Sequence, residues 1–272
     1  MNKGEITMTK PSLMKGLLSV KKKAYLSPHY IRITLEGPDI YKFSKAKVGD
    51  NNKILIPFSN VEEQVFEDAL QVGLKGNNMP FTVRTYTLRR LDVEKGEMDV
   101  DFVMHGESGP ASKWAIHANV GDSIGVLMKE KSKPVYQPAD WYLLVGDHTA
   151  VPVISVILES ISANAKGIVI LEVHGPEDIL ELQKPEGVQI TWVFNPEPGK
   201  ETSLPAHFNK VDIELASDKF IFVAAEHKAV SQIQHTLRNT ASIDRKDWYA
   251  YAYWKYGEAE DASKAERSTT RR

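Results

Sequence analysis

The sequence predicts a β + α/β protein, an N-terminal six-stranded antiparallel β-barrel followed by a parallel-sheet α/β domain. Two observations carry this. In the first half, short apolar and β-branched runs are separated by turn residues, with little helical spacing between them. In the second half, apolar strands alternate with segments whose apolar residues recur every three or four positions, the pattern of a parallel sheet covered on both faces.

The barrel strands are read at 17–26, 30–36, 53–58, 81–89, 98–104 and 122–128, with turn signals such as "EGPD", "VGDNN" and "EKGE" between them. One helical stretch, "PASKWAIHA" at 110–118, stands between the last two. Residues 59–79 read as a mobile insertion. After "YQPAD" the pattern changes, with strands at 141–145, 168–173, 189–194, 219–223 and 248–254 and the clearest helices at 150–163 and 226–239. The expected domains are therefore 1–138 and 139–257. A charged segment, 258–272, has almost no large apolar side chain and reads as a solvated helix or frayed tail.

Composition narrows the chemistry. Hydrophobic residues at 42% and charged residues at 26% are ordinary for a soluble protein, and a net charge of −2 offers nucleic acid no general attraction. No apolar run spans a bilayer, and the N-terminus has no secretory core, so the expectation is a cytoplasmic monomer without membrane insertion. The chain contains no cysteine, which removes disulfides, thiolate nucleophiles and cysteine-ligated clusters. Redox chemistry here needs a bound cofactor. The eight histidines show no metal-ligand spacing.

Four stretches hold the candidate site. In "FTVRTYTLRR", 81–90, strand alternation places Arg84, Tyr86, Leu88 and Arg90 on one face and Thr85, Thr87 and Arg89 on the other. A flavin between the domains would stack on Tyr86, pair a phosphate with Arg84 and bond its polar edge to Thr87; a plain cationic strand reads the same way. In "HGESGPASKW", 105–114, Gly106 and Gly109 permit a tight turn and Pro110 suits the first turn of a helix. The N–H groups of Ala111 and Ser112, with the Ser112 hydroxyl and His105, would face an anion such as a pyrophosphate, or simply begin a capped helix.

In "LLVGDHTAVPVI", 143–154, Asp147 and Thr149 lie at a strand end, where open α/β sheets bind ligands or cap helices. The spacing G-x-G-x-x-G is absent there. Lastly, Lys53 opens a barrel strand, Lys129, Lys131 and Lys133 cluster after another, and Lys255 ends the aromatic run "DWYAYAYWKYG".

Together these pieces, with "VHGPED" at 173–178 and "YWKYG" at 253–257, resemble the siderophore-interacting protein family, the flavin-dependent ferric-siderophore reductases. The resemblance runs from about residue 15 to Gly257. It implies a ferredoxin-reductase-like pair of domains, an FAD-binding barrel and a nicotinamide-type domain. It implies FAD, held by Arg84, Thr85, Tyr86 and Thr87 as the R-x-Y-T motif, with His105, Gly109, Ala111 and Ser112 near the phosphates and Asp147 and Thr149 near the ring. Lys53 and Lys255 match the family's basic residues for a ferric siderophore, and Lys129 or Lys131 stands where the family has an arginine.

The implied activity is reduction of ferric siderophore to release Fe(II), with electron transfer by FAD and no catalytic side chain. NADH, NADPH or reduced ferredoxin would be the donor, and Glu177 and Asp178, where a 2′-phosphate reader would want arginine, lean toward NADH. A siderophore carrier without turnover, or a general flavin or ferredoxin–nicotinamide reductase, is the alternative. His148 departs from the family, which usually has glutamate there.

Overall fold

Seven strands form the first sheet: β1 (Leu13–Ser27), β2 (Tyr30–Glu36), β3 (Asn51–Pro57), β4 (Phe81–Thr87), β5 (Arg90–Asp92), β6 (Glu97–Val103) and β7 (Ser123–Lys129). In this computed structural model, which describes residues 12–58, 61–72, 79–107, 109–213 and 218–258, their order is β4-β3-β7-β1-β2-β6-β5, with antiparallel pairing throughout. The long β1 makes the curl possible. Its first half pairs with β7 and its second half with β2, and register irregularities fall after Val20 and Tyr25.

Alternation fills the inside of the curl. Met14, Leu18 and Val20 of β1, Ile31, Ile33 and Leu35 of β2 and Val100 and Phe102 of β6 share one buried core. Helix α2 (Pro110–His117) plugs it with Ala111 and Ala115.

The sheet therefore has seven strands where the sequence predicts six. The extra one, β5, is only three residues long, too short for alternation to show, and its Arg90 is held by Glu97 and Asp99. β4 ends at Thr87 and not at residue 89, so the alternation on which Arg84, Tyr86 and Leu88 share a face stops before Arg90. Within the segment read as a mobile insertion, 63–72 instead form helix α1 (Glu63–Val72). Phe66, Ala69 and Leu70 occur at helical spacing and cover Leu55, Phe81 and Leu127 on the outer face of the sheet.

The second sheet is parallel. Its strands are β8 (Trp141–Asp147), β9 (Lys166–Val173), β10 (Val188–Phe194), β11 (Lys219–Glu226) and β12 (Trp248–Trp254), in the order β10-β9-β8-β11-β12. Helix α3 (Val151–Ser160) packs on one face through Val153, Ile154 and Ile157. Helices α4 (Leu204–Phe208) and α5 (His227–Asn239) pack on the other through Phe208, Val230 and Ile233. Strand order reverses between β8 and β11, so this sheet's ligand crevice lies outside their carboxyl ends.

The sheets meet along a polar seam. The Tyr30 hydroxyl donates to the His148 carbonyl at 2.8 Å, Arg89 makes a two-pronged ion pair with Glu159, and Asp178 accepts from Ser27 and His29. The segment 259–272, expected to be a tail, lies outside the described residues.

Candidate functional site

β4 presents two chemistries on its two faces. On the inner face the half-buried Arg84 guanidinium donates to Thr82 Oγ1 at 2.6 Å and to the Val83 carbonyl at 2.9 Å. Tyr86 is half-buried, its ring 4.4 Å from that of Phe102, which lies 5.5 Å from Trp114 of α2. The Tyr86 ring thus joins an aromatic row that ends on α2.

The outer face is cationic and hydroxylated. Lys53 lies directly opposite Thr85 and its Nζ donates to Thr85 Oγ1 at 2.9 Å; Thr87 lies opposite Asn51. On the other side of β3, Lys53 pairs with Leu127, and Lys129 two residues on shares that face. Register thus brings Thr85, Thr87, Lys53 and Lys129 to one face. Lys131 turns away, 3.5 Å from the buried Asp50. Lys255 lies at the end of β12, bound to Glu258.

The loop before α2 is preorganised. Gly106 has φ +82°, a conformation that suits glycine, and a Cβ on Gly109 would stand 2.2 Å from Cε1 of His105. The Ser112 hydroxyl is used inside the loop, donating to the Gly106 carbonyl at 2.7 Å and accepting from the His105 N–H at 3.2 Å. It therefore shapes the turn, where the sequence reading had it as an added donor for an anion. What the helix does offer is its start. Gly109 supplies no capping side chain, Pro110 follows, the first turn carries no acid, and the helix gives its leading N–H groups no partner of its own.

Of the two roles its strand-end position suggests, Asp147 fills a structural one. Its Oδ1 accepts from the Thr149 N–H and hydroxyl at 2.9 and 2.6 Å, and its Oδ2 from the Glu226 N–H and the Trp254 indole at 2.8 and 2.7 Å. Four donors occupy both oxygens, and Thr149 supplies two of them. The carboxylate ties β8, β11 and β12 together. Glu226 repeats the device, accepting from the N–H groups of Lys228 and Tyr256.

Asp178 is committed to the seam. It is fully buried, Oδ1 accepting from Ser27 Oγ and His29 N–H at 2.6 and 3.0 Å and Oδ2 lying 2.6 Å from His29 Nδ1. Burial would raise its pKa, but these bonds outweigh burial and hold it below the usual carboxylate value.

Histidines and a buried glutamate complete the surroundings. His29 stacks on His174 at 4.0 Å with rings 9° from parallel, and His148 lies 5.5 Å from His174. Burial pushes His148 below the ordinary histidine value and His174 down to about 4, so both stay neutral at pH 7. His29, His174 and Asp178 bring their ligand atoms within 4.8 Å of one another, but face-to-face rings direct their lone pairs side by side and not to a common point. Glu172, raised by burial, accepts from Asn195 and Thr202 in the crevice. His148, His174 and Asp178 lie in stretches the sequence singles out, but only sheet register and domain docking bring them to His29.

Comparison with known proteins decides the family. Residues 19–131 match the model of the siderophore-interacting FAD-binding domain, and 139–257 match that of the siderophore-interacting protein. The ferric vibriobactin reductase ViuB of Vibrio cholerae is 33% identical over 255 residues, covering 92% of this chain and 93% of its own. The chain belongs to the siderophore-interacting protein family. The siderophore-interacting protein SipS of Aeromonas hydrophila superposes with a TM-score of 0.81 at 30% identity, covering 94% of this chain and 98% of its own. A siderophore utilization protein of T. fusca gives 0.80 at 26%, covering 92% and 96%. A ferredoxin–NADP+ reductase of Plasmodium falciparum, at 0.60 and 12%, covers 89% and 96% and shows the shared fold.

FAD is the cofactor of this siderophore-interacting protein, and the residues present suit it. The glycine cradle before α2 leaves no room for a Cβ at Gly109, and the uncapped helix start favours an anion. Arg84 and the half-buried Tyr86 lie on one face of β4, and the Tyr86 ring reaches that helix through Phe102 and Trp114. His148 stands in the seam with its ring tilted 57° to that of His174.

Proposed function

We propose that FAD is held along β4 and the start of α2, with Arg84 and the α2 N–H groups on its phosphates and Tyr86 against its ring. Thr87, buried on the opposite face of β4, meets the ring's polar edge only at the strand end. Ferric siderophore is reduced on the outer face where Lys53, Thr85 and Lys129 meet, with Lys255 closing the basic rim. When bound, FAD supplies the redox chemistry, taking electrons from a nicotinamide or ferredoxin donor and delivering them to Fe(III). The chain supplies binding and orientation. Siderophore oxygen donors suit the hard ferric ion, so reduction weakens the chelate and releases Fe(II).

The supporting observation is the two-faced β4. A strand with guanidinium and aromatic on one side and a lysine-bonded hydroxyl row on the other puts cofactor and anionic chelate within one strand of each other. Lysine charge concentrates the chelate and keeps its contact reversible. All these residues come from one chain, so a monomer suffices, and we place the reaction in the cytoplasm.

The test is direct. Purified protein should show bound flavin absorbance and, given reductant and ferric siderophore without oxygen, should yield Fe(II) to a ferrous chelator. A colourless protein whose fluorescence is quenched by the siderophore without Fe(II) release would make it a carrier.

A further inference from the structure

The lysine cluster after β7 is joined by a second one. Lys42, Lys45 and Lys47 follow β2, and Lys129, Lys131 and Lys133 follow the core of β7. The two groups touch: Lys45 Nζ lies 3.7 Å from Glu130, Lys47 Nζ donates to the Ser132 carbonyl at 3.0 Å, and Lys131 reaches Asp50. Residues 39–50 and 129–133 hold six lysines and three acids, one of which, Asp50, is buried, in a chain of net charge −2.

Inside this rim stand Leu13 and Tyr41, exposed by 47% and 64%. Beneath them runs a shallow groove of about 470 Å³ that includes Met14, Tyr41 and Lys42. An apolar centre within a charged rim is the anatomy of a protein interface. Single-stranded nucleic acid would want a row of stacking aromatics.

The face also reaches the flavin strand. The Leu88 N–H donates to the Asp50 carbonyl at 2.8 Å and the Gly49 N–H to the Leu88 carbonyl at 2.8 Å, one residue beyond Thr87. The crevice of the parallel sheet has the opposite character. There a cavity of about 260 Å³ is lined by Asp147, Glu172, Glu201 and Glu226 against Lys200 and Lys228. A dinucleotide pyrophosphate would meet carboxylates where open α/β sheets usually offer it helix N–H groups.

We infer that the lysine-rimmed face of the barrel docks a small acidic protein, and that this protein is the electron donor. This rests on the proposed flavin site along β4. Two reduced one-electron carriers each give up one electron and leave oxidised, while the bound flavin gains two electrons and takes two protons from solvent.

The test uses the full-length, FAD-loaded chain and a plant-type [2Fe–2S] ferredoxin as the acidic carrier. Calorimetric titration at low salt should give saturable binding that weakens as salt is added. In K45E/K47E/K133E the Kd should rise at least about tenfold and flavin reduction by the reduced ferredoxin should slow in step, while flavin content and reduction by dithionite stay unchanged. If the triple reversal does not fold, K45Q/K47Q/K133Q should show the same direction.

An unchanged Kd in a folded variant overturns the inference, as does the absence of saturable binding in the unaltered chain. So does a rise in KM for ferric siderophore with unchanged ferredoxin binding, which would assign the face to the chelate. Equal, rapid reduction of the unaltered and reversed proteins by NADH or NADPH would also overturn it. Arg84→Ala separates the two readings. Unaltered FAD retention there refutes the flavin site, whereas loss of FAD with an unaffected lysine series refutes only the docking face.

Discussion

The indole N–H of Trp254 donates to Oδ2 of Asp147 at 2.7 Å, joining the end of the last parallel strand to the end of the first. Asp147 is buried and accepts from four donors, so its removal strands several polar groups. Asp147→Ala should lower stability by about 3 kcal/mol or more, and Trp254→Phe by about 1–2 kcal/mol. Urea denaturation of both variants checks this; equal, small effects would mean that the carboxylate is not the tie.

Arg84→Ala should weaken FAD retention by roughly ten- to a hundredfold while leaving the fold intact, because it removes a charge-assisted contact and no core volume. Gly109→Ala should act in the same direction, since the new Cβ meets the His105 ring at 2.2 Å and either the ring or the helix start must move. Flavin absorbance per protein after gel filtration, with thermal midpoints as the control, reports both. Full flavin content in Arg84→Ala would remove the arginine from the site.

Much of this was legible in local pattern. Two-residue alternation gave most barrel strands, apolar helical spacing gave α3 and α5, and glycine with proline marked the start of α2. The missed parts are those in which distant segments decide. The sequence does not show that Ser27 and His29 fold onto Asp178. Asp147 looked like an available ligand because Glu226 and Trp254, 79 and 107 residues away, supply two of its donors. Helix α1 was passed over because its apolar positions serve only the outside of the sheet.

The seam should respond to acid with a defined sign. His174 is held near 4 by burial, so between that value and the ordinary histidine pKa the unfolded chain binds a proton that the folded chain does not. Stability is therefore full above about pH 6.5 and falls as pH drops toward 4. Part of the ring is open to solvent, which reduces the effect to on the order of 1–2 kcal/mol. Asp178, held below its ordinary value, adds a further loss at lower pH as it becomes protonated. In His174→Phe the slope between pH 6.5 and pH 4 should flatten, as measured by denaturation across that range; an unchanged slope would assign it to other groups.

Lys53 and Lys255 should differ in what their removal does. Lys53 is bonded to Thr85 on the proposed chelate face, whereas Lys255 is tied to Glu258 at the end of β12. Attraction of an anionic chelate by either lysine is screened within a Debye length of about 8–10 Å at ordinary salt. Lys53→Ala and Lys255→Ala should each raise KM for ferric siderophore several-fold at low salt and much less at high salt, with little change in kcat. Lys255→Ala should show the smaller effect, because Glu258 already offsets much of its charge. Steady-state kinetics at two ionic strengths distinguishes these outcomes. A KM change independent of salt would mean that the lysine packs and does not attract, and a loss confined to kcat would place it against the flavin instead.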